Sequence, residues 1–149
     1  MNFLEPMMQF AGVRQEQSLH ENLPKIMASG INIEQILLNL VLNAIQQIDC
    51  ENVSGGVVKI STAYESQNDA LPVKVRIMDN GPGIHKHDFE KIFSLGHTTR
   101  KEGAGLGLFI ARQMVGDLGG RIAVEKSTIF KGATFLLEFP TSDVGGTTR

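Results

Sequence analysis

A row of side-chain amides recurs within a largely apolar segment of the chain. Gln35, Asn39 and Asn43 follow one another at four-residue spacing, so that in a helix they share one stripe. A buried amide without a partner costs about 1 to 3 kcal/mol, and the stripe is therefore expected to line a pocket. An asparagine oxygen is a hard, neutral ligand suited to Mg²⁺, and Asn43 is the candidate metal ligand. The alternative is that these amides hydrogen-bond to neighbouring backbone groups.

A carboxylate and two glycines follow a strand-like segment at residues 78–84, which read MDNGPGI. Asp79 accepts hydrogen bonds and donates none, which suits the amino group of adenine and disfavours the carbonyl of guanine. Gly81 and Gly83 let the backbone bend tightly around a ligand held by that carboxylate. The same residues also form a favourable turn sequence, so a plain turn is the competing interpretation.

Glycines are concentrated between Gly81 and Gly107, a segment that holds six of the chain's sixteen. The last of them stand in the sequence GAGLGL at residues 103–108, at the predicted start of a helix. Free N–H groups at a helix N-terminus form an anion site, so this segment is expected to cradle phosphate. The chain lacks the glycine patterns of Rossmann and Walker sites and the signatures of eukaryotic-type protein kinases. Hydroxyl and cationic side chains stand just upstream of the glycines, at Thr98, Thr99, Arg100 and Lys101.

Apolar periodicity predicts the helices and strands that would hold these residues. The longest helix is expected at Asn32–Asp49, with Asn32 as its capping residue. Shorter helices are expected at Phe3–Phe10 and Leu106–Leu118, the latter ended by Gly119-Gly120. This order indicates an α+β fold, a two-layer α/β sandwich in which helices cover one face of a mixed sheet. The predicted strands are Val13–Leu19, Val57–Tyr64, Val73–Met78, Arg121–Glu125 and Thr134–Phe139.

Composition limits the remaining classes of function. The 149 residues fit one domain, expected at residues 1–140, with a flexible Gly-rich tail at 141–149. A net charge of −2 argues against a nucleic-acid module that relies on a basic surface. A single cysteine, Cys50, excludes an internal disulfide, and the chain has neither a signal peptide nor an apolar run that could span a bilayer. A cytoplasmic domain without membrane contact is expected, although its parent protein could be membrane-anchored.

Five motifs in order resemble the ATP-binding catalytic domain of bacterial sensor histidine kinases, the HATPase_c domain of the Bergerat (GHKL) fold. The resemblance runs from about Glu21 to Pro140. Gln46, three residues after Asn43, stands where the family often has a basic residue; this removes one expected contact with phosphate and resembles the nitrogen-regulation subtype of these kinases. The matching motifs are an N box at 39–44, glycine boxes at 79–84, 103–108 and 132–135, and an F box at 89–93 with Gly-rich ATP-lid residues at 98–100.

The resemblance implies a role for each matched residue. Asn43 is similar to the Mg²⁺ ligand, Asp79 to the carboxylate that recognises adenine, and Thr134 to a residue that supports Asp79. Further contacts with the nucleotide are implied for residues of the glycine boxes, the F box and the lid. These are Gly81, Gly83, Ile84, Phe93, Thr98, Thr99, Arg100, Gly103, Gly105, Leu106, Gly107 and Leu108.

The lid residues of the match also differ from the family, at Arg100, Gly96 and His97. Arg100 stands where the family often has a phosphate-binding lysine; a guanidinium keeps the charge and favours bidentate contact. Gly96 occupies a position where many members have a second F-box phenylalanine, and His97 stands at the aromatic position. The first difference preserves the expected contact with phosphate, and the other two concern how the lid docks.

Asn39 distinguishes a kinase from a hydrolase in this resemblance. The superfamily's hydrolases carry a water-activating glutamate at the matching position, whereas an asparagine cannot take up a proton at neutral pH. Attack by water is therefore disfavoured, and ATP is held until a better placed nucleophile arrives. Asn39, Asn43 and Arg100 form the implied catalytic set.

The implied function is that of an ATP-dependent protein histidine kinase domain, which binds Mg-ATP and transfers the γ-phosphate to a histidine on a dimerisation domain absent from this chain. A response regulator is the indirect partner, and the isolated domain is expected to be a monomer. His20 precedes the N box too closely to be the acceptor, and His85 and His87 lack further metal ligands. The alternatives are a degenerate nucleotide-binding interaction module and a Bergerat-fold ATPase or anti-sigma-type serine kinase.

Overall fold

Helices and strands follow along the chain in the predicted order. The computed structural model of the protein describes residues 5–50, 54–65, 69–96 and 106–142. Two short 3-10 turns, Lys86–Asp88 and Lys91–Phe93, lie in the Gly-rich segment. The helices are α1 (Glu5–Ala11), α2 (Gly30–Cys50) and α3 (Gly107–Asp117); the strands are β1 (Arg14–Ser18), β2 (Val57–Tyr64), β3 (Val73–Asp79), β4 (Arg121–Thr128) and β5 (Gly132–Phe139).

The strands form one mixed sheet in the order β1-β2-β3-β5-β4. β1 and β2 are parallel, whereas the other neighbouring strands are antiparallel. Ile60, Ile77 and Phe135 stand opposite one another on the three central strands and are all buried. Because side chains alternate across a strand, these residues mark the apolar face, and residues of α2 and α3 pack against it in the same core. The predicted two-layer α+β arrangement is confirmed.

Helix α2 packs on the sheet through an apolar stripe. It begins at Gly30, earlier than predicted, and Asn32 lies inside the helix. The Asn32 N–H donates to the Ser29 hydroxyl at 3.2 Å, so the prediction that Asn32 caps the helix was wrong and the serine fills that role. Burial of each large apolar side chain contributes about 1.5 to 3 kcal/mol. The fully buried members of the stripe are Ile36, Leu40, Val41, Ala44, Ile45 and Ile48.

Strands β4 and β5 are both longer than predicted. The register of their pairing shifts between Val124 and Lys126, which is the mark of a β-bulge. A bulge breaks the alternation of inward and outward side chains, so the sequence pattern ends at Glu125 although the strand continues to Thr128. β5 starts at Gly132, and the two strands are therefore joined by a short turn.

A network of ion pairs covers the sheet face away from the helices. The buried Lys74 ammonium donates to Asp69 at 2.6 Å and also to Glu138, which accepts from Arg121 at 2.7 Å. Burial lowers the pKa of Lys74, but the bonds to both carboxylates outweigh it, and the net pKa is raised. Burial likewise raises the pKa of Glu138, and its two cationic partners bring it below the usual value. The network is therefore charged on both sides at neutral pH.

The chain remains tied to the domain beyond the predicted boundary at Pro140. The Ser142 N–H donates to the Lys25 carbonyl oxygen at 2.9 Å. Residues 143–149 and Phe3, from the predicted tail and first helix, lie outside the described residues. Within the ranges described, no helix is long and apolar enough to cross a bilayer.

Candidate nucleotide-binding site

Asp79 is the last residue of β3 and is only 8% exposed. Its Oδ1 accepts from the Gly81 N–H at 2.8 Å, and the Ala133 N–H also donates to the carboxylate. Burial raises the pKa of the Asp79 carboxyl, and the two backbone donors offset that rise only in part. The end of β3 therefore carries a desolvated acceptor, which is the group needed to recognise an amine donor such as that of adenine.

The loop after Asp79 packs so closely that only glycine fits at two positions. Gly83 has a φ of +80°, and a Cβ there would lie 2.5 Å from the carbonyl oxygen of Thr128. Gly132, at the start of β5, faces the loop from the other side, and its Cβ would lie 1.9 Å from the Asp79 carbonyl oxygen. These contacts press the loop against the β4–β5 hairpin. Glycine at positions 83 and 132 is thus required by close approach as well as by backbone geometry.

Hydrogen bonds fix the same loop to its neighbours. The Asn80 side chain accepts from the Val57 N–H at 2.7 Å and donates to the Gly55 carbonyl oxygen at 2.9 Å. On the other side, the Ile84 N–H donates to the Ser127 hydroxyl at 2.7 Å. Sequence reasoning missed Asn80 and Ser127. An asparagine directly after a strand is a weak signal of such a bond, because its amide can replace a missing backbone partner.

The predicted amide stripe reaches from the start of α3 to this loop. The backbone carbonyl oxygen of Asn39 lies 3.9 Å from where a Cβ of Gly107 would stand, so this turn of α2 packs beside the start of α3. Two turns further along α2, the Cβ of Gln47 lies 3.8 Å from where a Cβ of Gly81 would stand. Gln47 therefore extends the stripe by a member that sequence reasoning missed. Asn43 lies midway, about 6 Å along the helix axis from each neighbour in the stripe.

One group of the stripe is buried without a partner. Gln35 Nε2 donates to Asn39 Oδ1 at 3.4 Å, but Asn39 Nδ2 is buried and, within the ranges described, has no hydrogen-bond partner. None of the residues that the structure describes hydrogen-bonds to the Asn43 side chain. The alternative, that these amides are satisfied by nearby backbone, is therefore not met at Asn39. An unpaired donor at this depth favours a ligand that completes it.

Thr134 does not stand where its predicted role requires. It pairs with Met78 across β3 and β5, whereas its neighbour Phe135 pairs with Ile77 on the helix-covered face. Side chains alternate along a strand, so the Thr134 side chain is on the face opposite to that of Asp79. The prediction that Thr134 supports Asp79 was wrong. The support comes from the backbone N–H of Ala133.

Phe93 is buried in the core, only 2% exposed, and does not form an open pocket wall. Its ring meets Phe135 edge-on with centroids 6.1 Å apart, and the Arg112 guanidinium lies 5.3 Å above it. In this position Phe93 anchors the 3-10 turn that precedes the predicted lid. Ile84 and Leu108 are also packed against the core, while Leu106 is 42% exposed directly before α3.

Several predicted contacts fall outside the described residues. These are the cationic and hydroxyl residues of the predicted lid and the first glycines of the second glycine box. Their roles stay predictions, as does the docking of the lid. The residues concerned are His97, Thr98, Thr99, Arg100, Gly103 and Gly105.

Three of the four histidines lie within the described residues. His20 lies in an exposed turn after β1, where its Nδ1 accepts from the Asn22 N–H at 3.2 Å. The rings of His85 and His87 stack with centroids 5.4 Å apart. Over the described ranges, no group of three or more histidine, cysteine or carboxylate side chains is arranged to hold a metal. An Mg²⁺ ion at the amide stripe would thus be held by few protein atoms, as this ion commonly is.

Comparison with known proteins agrees with this geometry. Residues 28–143 match the family described as "Histidine kinase-, DNA gyrase B-, and HSP90-like ATPase", close to the span that the motifs predicted. Sensor histidine kinase ZraS of Escherichia coli K12 is 40% identical over 121 residues, which cover 81% of this chain and 24% of ZraS. The sensory histidine kinase/phosphatase NtrB of Rhizobium leguminosarum bv. phaseoli is 29% identical over 140 residues, covering 87% of this chain and 36% of NtrB.

Solved structures extend the likeness to the whole fold. The catalytic domain of histidine kinase ThkA is 31% identical with a TM-score of 0.74, covering 94% of this chain and 88% of that one. Full-length ShkA, solved with AMPPNP, is 28% identical with a TM-score of 0.75, covering 95% of this chain and 28% of ShkA. The chain spans about a quarter of the length of ZraS. It therefore belongs to the histidine kinase-, DNA gyrase B- and HSP90-like ATPase family, as an ATP-binding catalytic domain of the sensor histidine kinase type.

Proposed function

We propose that this chain binds Mg-ATP between the amide stripe of α2, the loop after β3 and the start of α3, and donates the γ-phosphate to a histidine of a dimerisation domain. The observation that carries the proposal is the arrangement of the stripe. It reaches from Gly107 to Gly81 and contains the unpaired Asn39 Nδ2 between a desolvated carboxylate and a helix N-terminus. A ligand with an amine at one end and phosphates at the other matches this order of groups.

Different residues contact each part of the nucleotide in this proposal. Asp79 accepts from the adenine amine, and the N-terminus of α3 at Gly107 faces the phosphates with its free N–H groups. Asn43 is the protein ligand of Mg²⁺, whose charge neutralises the phosphate oxygens when it is bound. The predicted lid residues Thr98, Thr99 and Arg100 complete the phosphate contacts in this proposal.

Asn39 makes phosphoryl transfer a better proposal than hydrolysis. Its side-chain oxygen already accepts from Gln35 and its nitrogen is a donor, so neither atom can remove a proton from water. The domain then holds ATP in position, and an external nucleophile attacks the γ-phosphate. Histidine kinase ThkA has been solved in complex with the response regulator protein TrrA, and the ThkA chain of that structure is 29% identical to this chain with a TM-score of 0.72. This complex supports a response regulator as the subsequent phosphate acceptor.

The proposal is tested by supplying the dimerisation domain of the parent kinase in trans with ATP and Mg²⁺. The expected product is an acid-labile phosphohistidine on that domain. Asn43→Ala removes the metal ligand and is expected to abolish the product, whereas Asn22→Ala, in the exposed turn after β1, serves as the matched control and retains it. Undiminished transfer by Asn43→Ala, in protein that melts as the wild type does, would contradict the assignment of the metal ligand.

A further inference from the structure

A cavity lies between the first half of α2, the apolar sheet face and the segment 19–28. Its volume is about 520 Å³, and most of its lining is aliphatic or aromatic. This volume falls within the range of about 300 to 1,000 Å³ typical of small-molecule sites. Representative lining residues are Leu23, Ile26, Ile33, Leu37, Val75 and Phe139.

The cavity is separate from the proposed nucleotide site. Val73 and Phe139, which pair at one end of β3 and β5, line the cavity, while Asp79 ends β3 at its other end. On β3, the lining residue nearest to Asp79 is Val75, four positions before it, which corresponds to about 13 Å along the strand; Asp79 itself does not line the cavity. A ligand in the cavity would therefore not contact the adenine-recognising carboxylate.

Few hydrogen bonds hold the segment 19–28, which covers the cavity, to the rest of the domain. It has no helix or strand between β1 and α2. The His20 N–H donates to the Thr62 hydroxyl at 2.8 Å, and the Lys25 carbonyl oxygen accepts from Ser142 at 2.9 Å. Leu19, at the edge of the cavity, is 57% exposed. An apolar molecule can therefore enter by displacing this segment without breaking the sheet or α2.

The polar groups of the lining indicate the chemistry of the ligand. Among the lining residues that the structure describes, Lys25 is the one charged side chain, and Gln17 and Thr62 are the polar ones. No described residue forms an ion pair with Lys25. We propose that this cavity binds an amphiphile with an apolar body and one anionic group, of the medium-chain carboxylate type, with the anion at Lys25.

The test is a fluorescence titration of the chain with dansyl-labelled undecanoic acid, followed by displacement with dodecanoate. One saturable site is expected below the micelle concentration of the probe. Ile33→Phe fills the cavity and is expected to weaken binding of the probe tenfold or more. Ile31→Phe, the matched control on the same helix, lies outside the cavity at 78% exposure and is expected to leave binding unchanged.

Lys25→Gln is a second variant that tests the proposed ligand even if Ile33→Phe does not fold. Lys25 is exposed, so this substitution is expected to leave folding intact. This variant is expected to weaken displacement by dodecanoate several-fold and to leave displacement by dodecanol unchanged. A fluorescent ATP analogue, titrated into the same samples, reports the nucleotide site separately and is expected to bind equally with and without dodecanoate. Absence of saturable binding, equal affinity in Ile33→Phe, no effect of Lys25→Gln on dodecanoate, or competition between dodecanoate and the ATP analogue would each overturn the proposal.

Discussion

Asp79→Asn separates ligand recognition from folding, because the two respond to this substitution in opposite directions. The wild-type carboxylate accepts backbone N–H groups of Gly81 and Ala133 and, in our proposal, the adenine amine. An asparagine has one acceptor oxygen; with that oxygen on the backbone donors of the folded loop, its NH₂ group faces the adenine amine. The hydrogen bond from the adenine amine to a charged acceptor is therefore lost.

The loss of such a bond corresponds to about 1.5 to 3 kcal/mol, or about 10- to 150-fold in Kd for ATP. Stability is expected to change with the opposite sign. The folded-state pKa of Asp79 is raised above its usual value of 3.8, so the folded protein binds this proton more tightly than the unfolded chain does. Wild-type stability therefore falls as the pH rises from 3.8 through the raised value, and Asp79→Asn does not share that fall.

Calorimetric titration with ATP and urea unfolding, both at neutral pH, measure the two effects. The account predicts a weakened Kd together with a free energy of unfolding equal to or above that of the wild type. Asp117→Asn, at the exposed end of α3, is the matched control and is expected to change neither quantity. Wild-type affinity in Asp79→Asn, or weaker binding that is explained by partial unfolding, would refute the reasoning.

Four further substitutions test the packing around the site and the sheet. Gly83 and Gly96 both have a φ near +80°, but only at Gly83 would an added Cβ meet the backbone, at 2.5 Å. Gly96→Ala is therefore expected to lower the free energy of unfolding by about 1 kcal/mol, and Gly83→Ala is expected to lower it clearly more. Thermal melting of the two variants measures the difference. Lys74→Ala leaves the Glu138 carboxylate without its buried partner. Urea unfolding at neutral pH should show a free energy of unfolding lower by about 3 kcal/mol, with unchanged affinity for ATP. This loss should shrink as the pH falls through the lowered pKa of Glu138. Phe130 is 86% exposed at a φ of 69°, and Phe130→Gly is expected to raise the free energy of unfolding by about 1 kcal/mol; a decrease in urea unfolding would contradict the inferred strain.

The features that sequence predicted well depend on local pattern. The apolar spacing in α2 and the alternation in β2 and β3 are set by residues near one another in the chain. Gly119, with a φ of 76°, ends α3 as expected because only a glycine adopts that conformation without strain. Asp79 could be recognised for the same reason, since it stands at the junction of a strand and a glycine loop.

The features that sequence missed depend on distant contacts. The face of Thr134 follows from the register of β5 against β3, which no local pattern specifies. The bonds of Asn80 to Val57 and Gly55 join residues far apart in the chain. Gln47 continues the four-residue spacing, but its packing beside the loop at Gly81 joins two segments far apart in the chain.

The most direct test of the central claim is a calorimetric titration of the wild-type chain with ATP, in Mg²⁺ and again in EDTA. The account predicts saturable binding of one ATP per chain that weakens when the metal is removed, because in our proposal Asn43 is the protein ligand of the Mg²⁺ ion. No binding to folded protein would contradict the account and favour a degenerate interaction module. Binding that is equal in EDTA would contradict the assignment of a metal site on α2.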